Sequence, residues 1–392
     1  MDAATPIVRS DHPSFTHVLT AIAGVYTAQS VIGGLTFQSV PAILRNGDAS
    51  LDAIGAFVFA AMAPWALKFA WAPVVERYRL PRDGRQRSRS VVLAGQACVA
   101  ALLALLALLG SSSALLLPLL LGVGLVSATV DIACDAFAIE QLPPKRRGWG
   151  NVAQVGAAYF GMALGGGAFL MIVATAGWTV AALAAASLIA AVTLPFATII
   201  EPDRPHNPDA AHHRPSLRFA LARRQIRAGL LLTVVFEAGA RLAQGMIGPF
   251  LVDAGLDLAT IGVLNGLGGT AAGLVGTAIG GSLVRLSGAR ASVFVAAGLQ
   301  ASSVTALACA AMLHADDRLL LAGLALFQAG AMAAGFVTLY SILMGLSSRL
   351  QAGVDFTLFQ CADAVVAGFG GMFGGLLAQR LGYSGCFGLA AV

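Results

Sequence analysis

An all-α membrane protein built from two six-helix halves is the reading to which three features of this 392-residue sequence lead. Charged residues make up 11% of the chain and hydrophobic residues 58%, against about 25% charged residues in ordinary soluble domains. Long apolar runs recur, such as SVVLAGQACVAALLALLALLG at 90–110, and exceed the roughly 18 residues that argue for a spanning helix. Two landmarks repeat at nearly one spacing, so the chain divides into similar halves. Mean hydropathy is +0.81, which places the lipid bilayer first among the partners.

Spans are expected at 16–44, 51–75, 90–110, 114–142, 149–173 and 177–200, then at 226–252, 258–284, 291–313, 318–346 and 352–379, with a last segment from 383. Each is an apolar stretch bounded by glycine, proline or clustered charge. A polar, proline-broken linker, EPDRPHNPDAAHHRPSLRFALARR at 201–224, separates a half at 1–200 from a half at 225–392.

The segment 68–89, KFAWAPVVERYRLPRDGRQRSR, carries six arginines within thirteen residues. In a soluble chain such a run points to nucleic acid, a partner that this composition excludes. With the N-terminus inside, 19 of the 24 lysines and arginines fall in inner loops. The positive-inside rule then puts the N-terminus and the linker in the cytoplasm. The N-terminal MDAATPIVRSDHPSFTH has no short apolar core followed by a small-residue cleavage site, so the first span is expected to be its own insertion signal.

The repeat rests on two independent landmarks. Gly84 in DGRQR and Gly288 in GGSLVRLSGARAS stand 204 residues apart. Gly148, which ends EQLPPKRRG, and Gly353, which ends GLSSRLQAG, stand 205 apart. Two parallel repeats are the plan of many secondary transporters. Adding that offset to the end of the sixth span places the end of a twelfth near 405, beyond Val392. From Gly382, eleven residues rise about 16 Å, roughly half a hydrocarbon core. The last segment is therefore expected to be a truncated span, or a short half-inserted stub against spans nine and eleven.

A glycine–arginine loop after span two, echoed after span eight, resembles the signature of the major facilitator superfamily, and EQLPPKRRG resembles a pattern found after the fourth helix in several of its families. LKFAWAPVVERY and VDIACDAFAIEQLP are similar to the AmpG-like muropeptide-permease group. GVDFTLFQCADAVVAGFGG resembles that group's siderophore-transporter branch, of the FptX, RhtX and YbtX type. The resemblance implies the major facilitator fold, alternating access, no enzymatic activity and no cofactor. It also implies a bacterial inner-membrane monomer that takes up a siderophore or iron–siderophore complex with a proton or another ion. Muropeptide uptake and siderophore or metal-chelate export stand as alternatives. The sequence departs from the family at Glu76, where aspartate is usual, and at Val284, where the second copy has no acid.

Ionised residues at a helix centre cost about 2.5–3.5 kcal/mol on insertion, so deep charges carry the most information. The acids are Asp131, Asp135, Glu237 and Asp363, and the bases are Lys68 and Arg241. Asp131 and Asp135, one turn apart, cannot both ionise at low cost. One is suited to carry a proton; Asp131 is the first candidate, with Asp135 and Glu237 beside it, and a hydrogen-bonded structural acid is the competing reading. Glu237 and Arg241 share a helical face, either as a structural ion pair or as part of a transport site. Lys68 lies at the depth of Asp135, to pair with it or to snorkel. Tyr26, Gln29, Asp131, Glu237, Arg241, Gln328 and Tyr340 are the expected cavity residues. Glu76, Arg77, Gly84, Arg85 and Arg87 with Glu140 and Arg147, and Gly288 and Arg290 in the second copy, are the expected cytoplasmic gate.

The five cysteines, Cys98, Cys134, Cys309, Cys361 and Cys386, show no metal-ligand spacing and read as small packing residues. His206, His212 and His213 belong to the linker, so no metal site is expected. The glycine-rich runs lack the lysine and hydroxyl of a phosphate loop. A membrane enzyme would need a His/Asp or metal constellation near one interface, and the sequence contains none. A sensor built on a transporter fold is compatible with the same residues, and measured flux would separate the two.

Overall fold

A computed structural model describes residues 13–47, 51–80, 85–111, 113–202, 213–256 and 258–392. Of the residues singled out above, Arg82, Gly84, His206 and His212 lie outside the described residues. No strand occurs among those described.

Helix α1 (Phe15–Gly34) starts at Ser14, whose hydroxyl accepts from the amide of His17 at 3.3 Å. A π turn over Leu35–Ser39 leads into α2 (Val40–Asn46). Helix α3 (Leu51–Leu67) tightens to a 3₁₀ turn at Lys68–Ala70, and α4 (Ala72–Arg79) leaves at 57° to it. Proline at the first turn of α4 explains the break, because Pro73 has no amide to continue the ladder. Then come α5 (Ser88–Leu109), α6 (Leu116–Gln141) and α7 (Arg147–Ala163). A π turn through Leu164–Ala168 joins α7 to α8 (Phe169–Ala197).

After the linker, Ser216 caps the short α9 (Leu217–Ala222). The second half holds α10 (Arg224–Asp253), α11 (Leu258–Val263), a π turn at Leu264–Gly268, α12 (Gly269–Met312), α13 (Arg318–Leu346) and α14 (Ala352–Ala390). Three of these long helices are hairpins of two helices meeting at a left-handed glycine. Gly177 breaks α8, Gly288 breaks α12 and Gly382 breaks α14, with φ of 86°, 77° and 72°. The backbone keeps the repeat: Gly382 follows Gly177 by 205 residues, and His314, also at positive φ, follows Gly110 by 204. Eight helices among the described residues are long and apolar enough to cross a membrane, and the bent α3–α4 pair makes a ninth. Phe59 and Phe294, 84% and 79% exposed, fit acyl chains rather than water.

Beyond Gly382 the chain turns back as a short helix, expected against spans nine and eleven. It packs on α10 as well as beside those spans. The Tyr383 hydroxyl donates to Asp253 at 2.6 Å, Phe387 packs on Phe250, and Cys386 lies 3.6 Å from the carbonyl of Gly374 in span eleven.

The apolar core differs between the two ends of the bundle. On the linker side one core runs through both halves, joining Phe137 and Phe196 to Leu339, Phe356 and Phe359. On the opposite side each half has its own: Val31, Leu103 and Ile189 in one, Ile247, Phe250 and Leu307 in the other. The halves are thus packed together at the linker end and apart at the other.

Helices α1 and α7 meet through glycines, as membrane helices without a solvent-driven apolar force tend to do. A Cβ on Gly165 would lie 2.0 Å from the carbonyl oxygen of Val31, whereas one on Gly167 would meet nothing within 4 Å. Gly165→Ala is expected to destabilise the protein by about 1–3 kcal/mol and to lower its unfolding temperature in detergent. Gly167→Ala should leave that temperature unchanged.

Candidate functional site: two charge clusters, a gate and a cavity

Each half buries at least one base among acids. In the first half, the 3₁₀ turn after α3 aims Lys68 inward, where its ammonium pairs with Asp131 and donates to Gln360 of α14 at 2.5 Å. Gln29, in the amide orientation its surroundings select, donates to the other oxygen of Asp131 at 2.9 Å. Asp135, one turn further along α6, accepts from the Tyr26 hydroxyl through Oδ1, while its buried Oδ2 has no partner. The expected pairing of Lys68 with Asp135 is therefore corrected to Asp131. Helix α6 presents both acids on one face, and the 3₁₀ turn that starts at Lys68 brings the ammonium to the one farther from the linker.

In the second half, Arg241 forks onto Asp363, with Nη2 2.8 Å from both carboxylate oxygens and Nε 3.2 Å from Oδ1. It also donates to Gln244 at 3.2 Å and stacks over Phe336. Glu237, one turn before it, stands 3.4 Å from Nε, and neither of its fully buried oxygens accepts a hydrogen bond. The i,i+4 pair expected from the sequence is thus the weaker contact; Asp363 takes the fork.

Toward the linker lies the cluster expected to form the gate. Its centre is Arg79, which the sequence pattern did not single out. All five of its N–H groups are used, toward Glu76 at 3.0 and 2.9 Å, Glu140 at 2.7 and 2.7 Å and Ser88 at 3.1 Å. The signal for it was the i,i+3 spacing from Glu76. Arg77 instead reaches the linker, donating to the carbonyl of Pro215 at 3.0 Å, and Arg87 covers the ring of Tyr78. Glu140 belongs to Arg79, and Arg147 stands apart from that cluster with its Nε buried without an acceptor. Gly288 and Arg290 are exposed at the turn of α12, and Arg85 is exposed before α5.

Contacts between the halves close this end. Asn151 donates to Ser341 at 2.9 Å, and a Cβ on Gly353 would lie 2.6 Å from the Glu76 carboxylate. Gln351 holds the linker through Ser216, accepting from its amide at 3.0 Å and donating to its carbonyl at 3.3 Å. Arg223 pairs with Asp355. None of these small polar contacts is visible in the sequence pattern.

At the opposite end, a cavity of about 990 Å³ is lined from both halves by Gln38, Tyr159, Gln244, Thr270 and Gln328 among apolar residues. Of the seven residues expected to line a cavity, Gln328 does so. Tyr26, Gln29, Asp131, Glu237 and Arg241 form the two clusters instead, and Tyr340 packs edge-on against Phe336 and Phe356. Gln38, Tyr159 and Gln244 were missed, because single polar residues in apolar helices also serve as interhelical glue. Among the described residues no group of three or more His, Cys, Asp or Glu side chains is placed to hold a metal ion.

A bundle of paired helix hairpins, a shared core at the linker end and a cavity between halves is one of the transporter plans. The Major Facilitator Superfamily profile matches residues 18–301. The chain belongs to the Major Facilitator Superfamily. It is 29% identical to the anhydromuropeptide permease of Escherichia coli K12 over 370 residues, covering 89% of this chain and 72% of that one. An uncharacterised Haemophilus influenzae protein is 33% identical over 143 residues, 36% of this chain and 33% of its own. Among solved structures, the human organic anion transporter MFSD10 superposes with a TM-score of 0.75 at 18% identity, covering 97% of both chains. A bacterial homologue of the iron transporter ferroportin gives 0.69 at 15%, covering 96% of this chain and 95% of that one. The protein is a multi-pass secondary transporter of this superfamily, a family that is generally not enzymatic.

Removing one partner from a buried ion cluster costs about 3–5 kcal/mol, because the others stay charged and unpaired. Arg79→Gln should therefore lower the unfolding temperature steeply, and adding Glu76→Gln should recover part of the loss. Arg77→Gln, made at an arginine two residues away, should lower it far less.

Proposed function

We propose that the protein carries a muropeptide-type substrate, a sugar–peptide fragment of the cell wall, into the cytoplasm across the bacterial inner membrane, driven by protons. The likeness to the anhydromuropeptide permease along 89% of the chain carries this reading. The cavity supports it. Three amides and a phenol, Gln38, Gln244, Gln328 and Tyr159, offer neutral donors and acceptors suited to hydroxyl and amide groups. Residues 1–200 and 225–392 move as two halves about the linker at 201–224, which faces the cytoplasm with the N-terminus, and one chain suffices for transport.

Glu237 and Asp135 are the proposed proton carriers. Each is buried with at least one oxygen lacking a donor, and an unpaired carboxylate there is strongly disfavoured. Asp131, the first candidate from the sequence, is held by Lys68 and Gln29.

Ferric siderophore is the second reading. It rests on the resemblance in 353–371, whose Asp355, Gln360 and Asp363 bind Arg223, Lys68 and Arg241. Those residues serve contacts between helices, so the stretch speaks for the gate more than for the cargo.

Proteoliposomes with an alkaline lumen should accumulate labelled anhydromuropeptide, and Glu237→Gln should reduce that accumulation at least tenfold while sparing exchange. Accumulation of a ferric siderophore without muropeptide would transfer the assignment to the second reading. Accumulation by Glu237→Gln at the wild-type level would remove Glu237 from coupling.

A further inference from the structure

Lys68 faces both halves at once. It is 3% exposed, paired with Asp131 on one side and bonded to Gln360 on the other, with the Trp65 ring centred 5.8 Å from its charge. The groups around Lys68 and Asp135 that bear or can bear charge are Asp131 and Cys134 on α6 beside Asp135 itself, Tyr26 on α1, Tyr340 on α13 and Cys361 on α14. Glu76, toward the linker, is taken by Arg79.

Asp135 shares a helical face with Asp131, one turn away, so the ammonium can pass from one to the other by rotation of its flexible stem. A charge-balanced closed site has the Lys68 ammonium, the Asp131 carboxylate and a neutral Asp135, with the proton on the oxygen that has no donor. The halves cannot part at the linker end without taking Gln360 from Lys68. The ammonium then lacks a partner in surroundings that penalise an unpaired charge.

We infer that Lys68 ties proton release to opening of the linker-side gate: as Gln360 withdraws, the ammonium turns to Asp135, which gives up its proton. The O–H bond of Asp135 breaks, the proton leaves to water entering from the linker side, and the new carboxylate accepts the N–H that Gln360 released. A proton returning to Asp135 frees the ammonium for Gln360, and the gate shuts. Lys68 is thus a positioning residue for the coupled step. The neutral amide at 360 is part of the device, because a carboxylate there would hold Lys68 permanently. This inference rests on the transport reading in taking the gate to open, and it is independent of the cargo.

The test is a distance measurement. Cysteines replacing the exposed Lys145 and Arg285, on facing ends of the two halves, take spin labels in protein with Cys98 and Cys309 changed to serine. Glu237→Gln is included throughout, so that the second cluster does not titrate. In nanodiscs the open fraction should rise as pH rises. Lys68→Gln should abolish that dependence and Lys68→Arg should retain it. Asp135→Asn should stay shut at every pH, and Gln360→Ala should raise the open fraction several-fold. Gln360→Glu, which disturbs packing least, should stay shut at the alkaline pH where the parent opens. A parent without pH-dependent opening, a Lys68→Gln profile matching the parent, or a Gln360→Glu protein that opens like it overturns the inference. No flux is measured, so a failure to transport muropeptide would leave the gating inference standing.

Discussion

A buried cation between apolar helices needs opposite charge, and the centre of this protein is arranged by how many acids each base must serve. Arg79, Lys68 and Arg241 each stand near two. Arg79 meets the demand in full, because its planar fork directs five N–H groups at Glu76, Glu140 and Ser88. The cluster is a fixed joint within the first half. Lys68 is a point charge, and its hydrogen bonds go to Asp131 and Gln360, leaving Asp135 to Tyr26. Arg241 spends its fork on Asp363 and Gln244, leaving Glu237 without a hydrogen bond. The same ratio of two acids to one base therefore yields a rigid joint in one place and a surplus acid in two others. Donor geometry makes the difference.

The apolar packing obeys a different logic. Apolar packing at the linker end binds both halves, chiefly through phenylalanines from each, while the opposite end has two separate cores with a cavity between them. Apolar contact favours the packed end without regard to register, since it is non-directional. Register comes from the polar contacts set into that core: Asn151 with Ser341, and Lys68 with Gln360. These sit where the halves must part for a substrate to leave toward the linker. Few in number, they hold the gate in one alignment without making it irreversible.

Much of this was legible in the sequence. The apolar helices follow from hydropathy, and the turns at Gly177 and Gly382 from a residue that takes a positive φ with least strain. The deep charges were also legible, because their type and depth are facts of composition. Their partners were not. Whether Lys68 meets Asp131 or Asp135 depends on the 3₁₀ turn that follows α3, and whether Arg241 prefers Glu237 or Asp363 depends on how α14 is rotated against α10. Arg79 was hidden among arginines that mark topology. Gln38, Tyr159 and Gln244 carried no signal, since one polar residue in an apolar helix looks the same whether it faces a neighbour or a cavity.

The repeat shows how one interface can be both joint and hinge. Gly148 opens α7 and Gly353 opens α14, at equivalent points of the two halves, and each is the place where a helix start meets the other half. A Cβ on Gly148 would touch the Val284 side chain at 2.8 Å, and one on Gly353 would touch the Glu76 carboxylate at 2.6 Å. The first contact is apolar on both sides. The second sets a carboxylate beside the N-terminal turn of α14, where backbone N–H groups favour negative charge. Val284 against Gly148 and Glu76 against Gly353 thus make one apolar contact and one electrostatic contact across the same end. Two charged contacts would have to be desolvated and rebuilt together in each cycle. With one, the α7–α12 side can part at the cost of apolar contact alone, while release of the α4–α14 side, which also carries Lys68 and Gln360, waits on the charges.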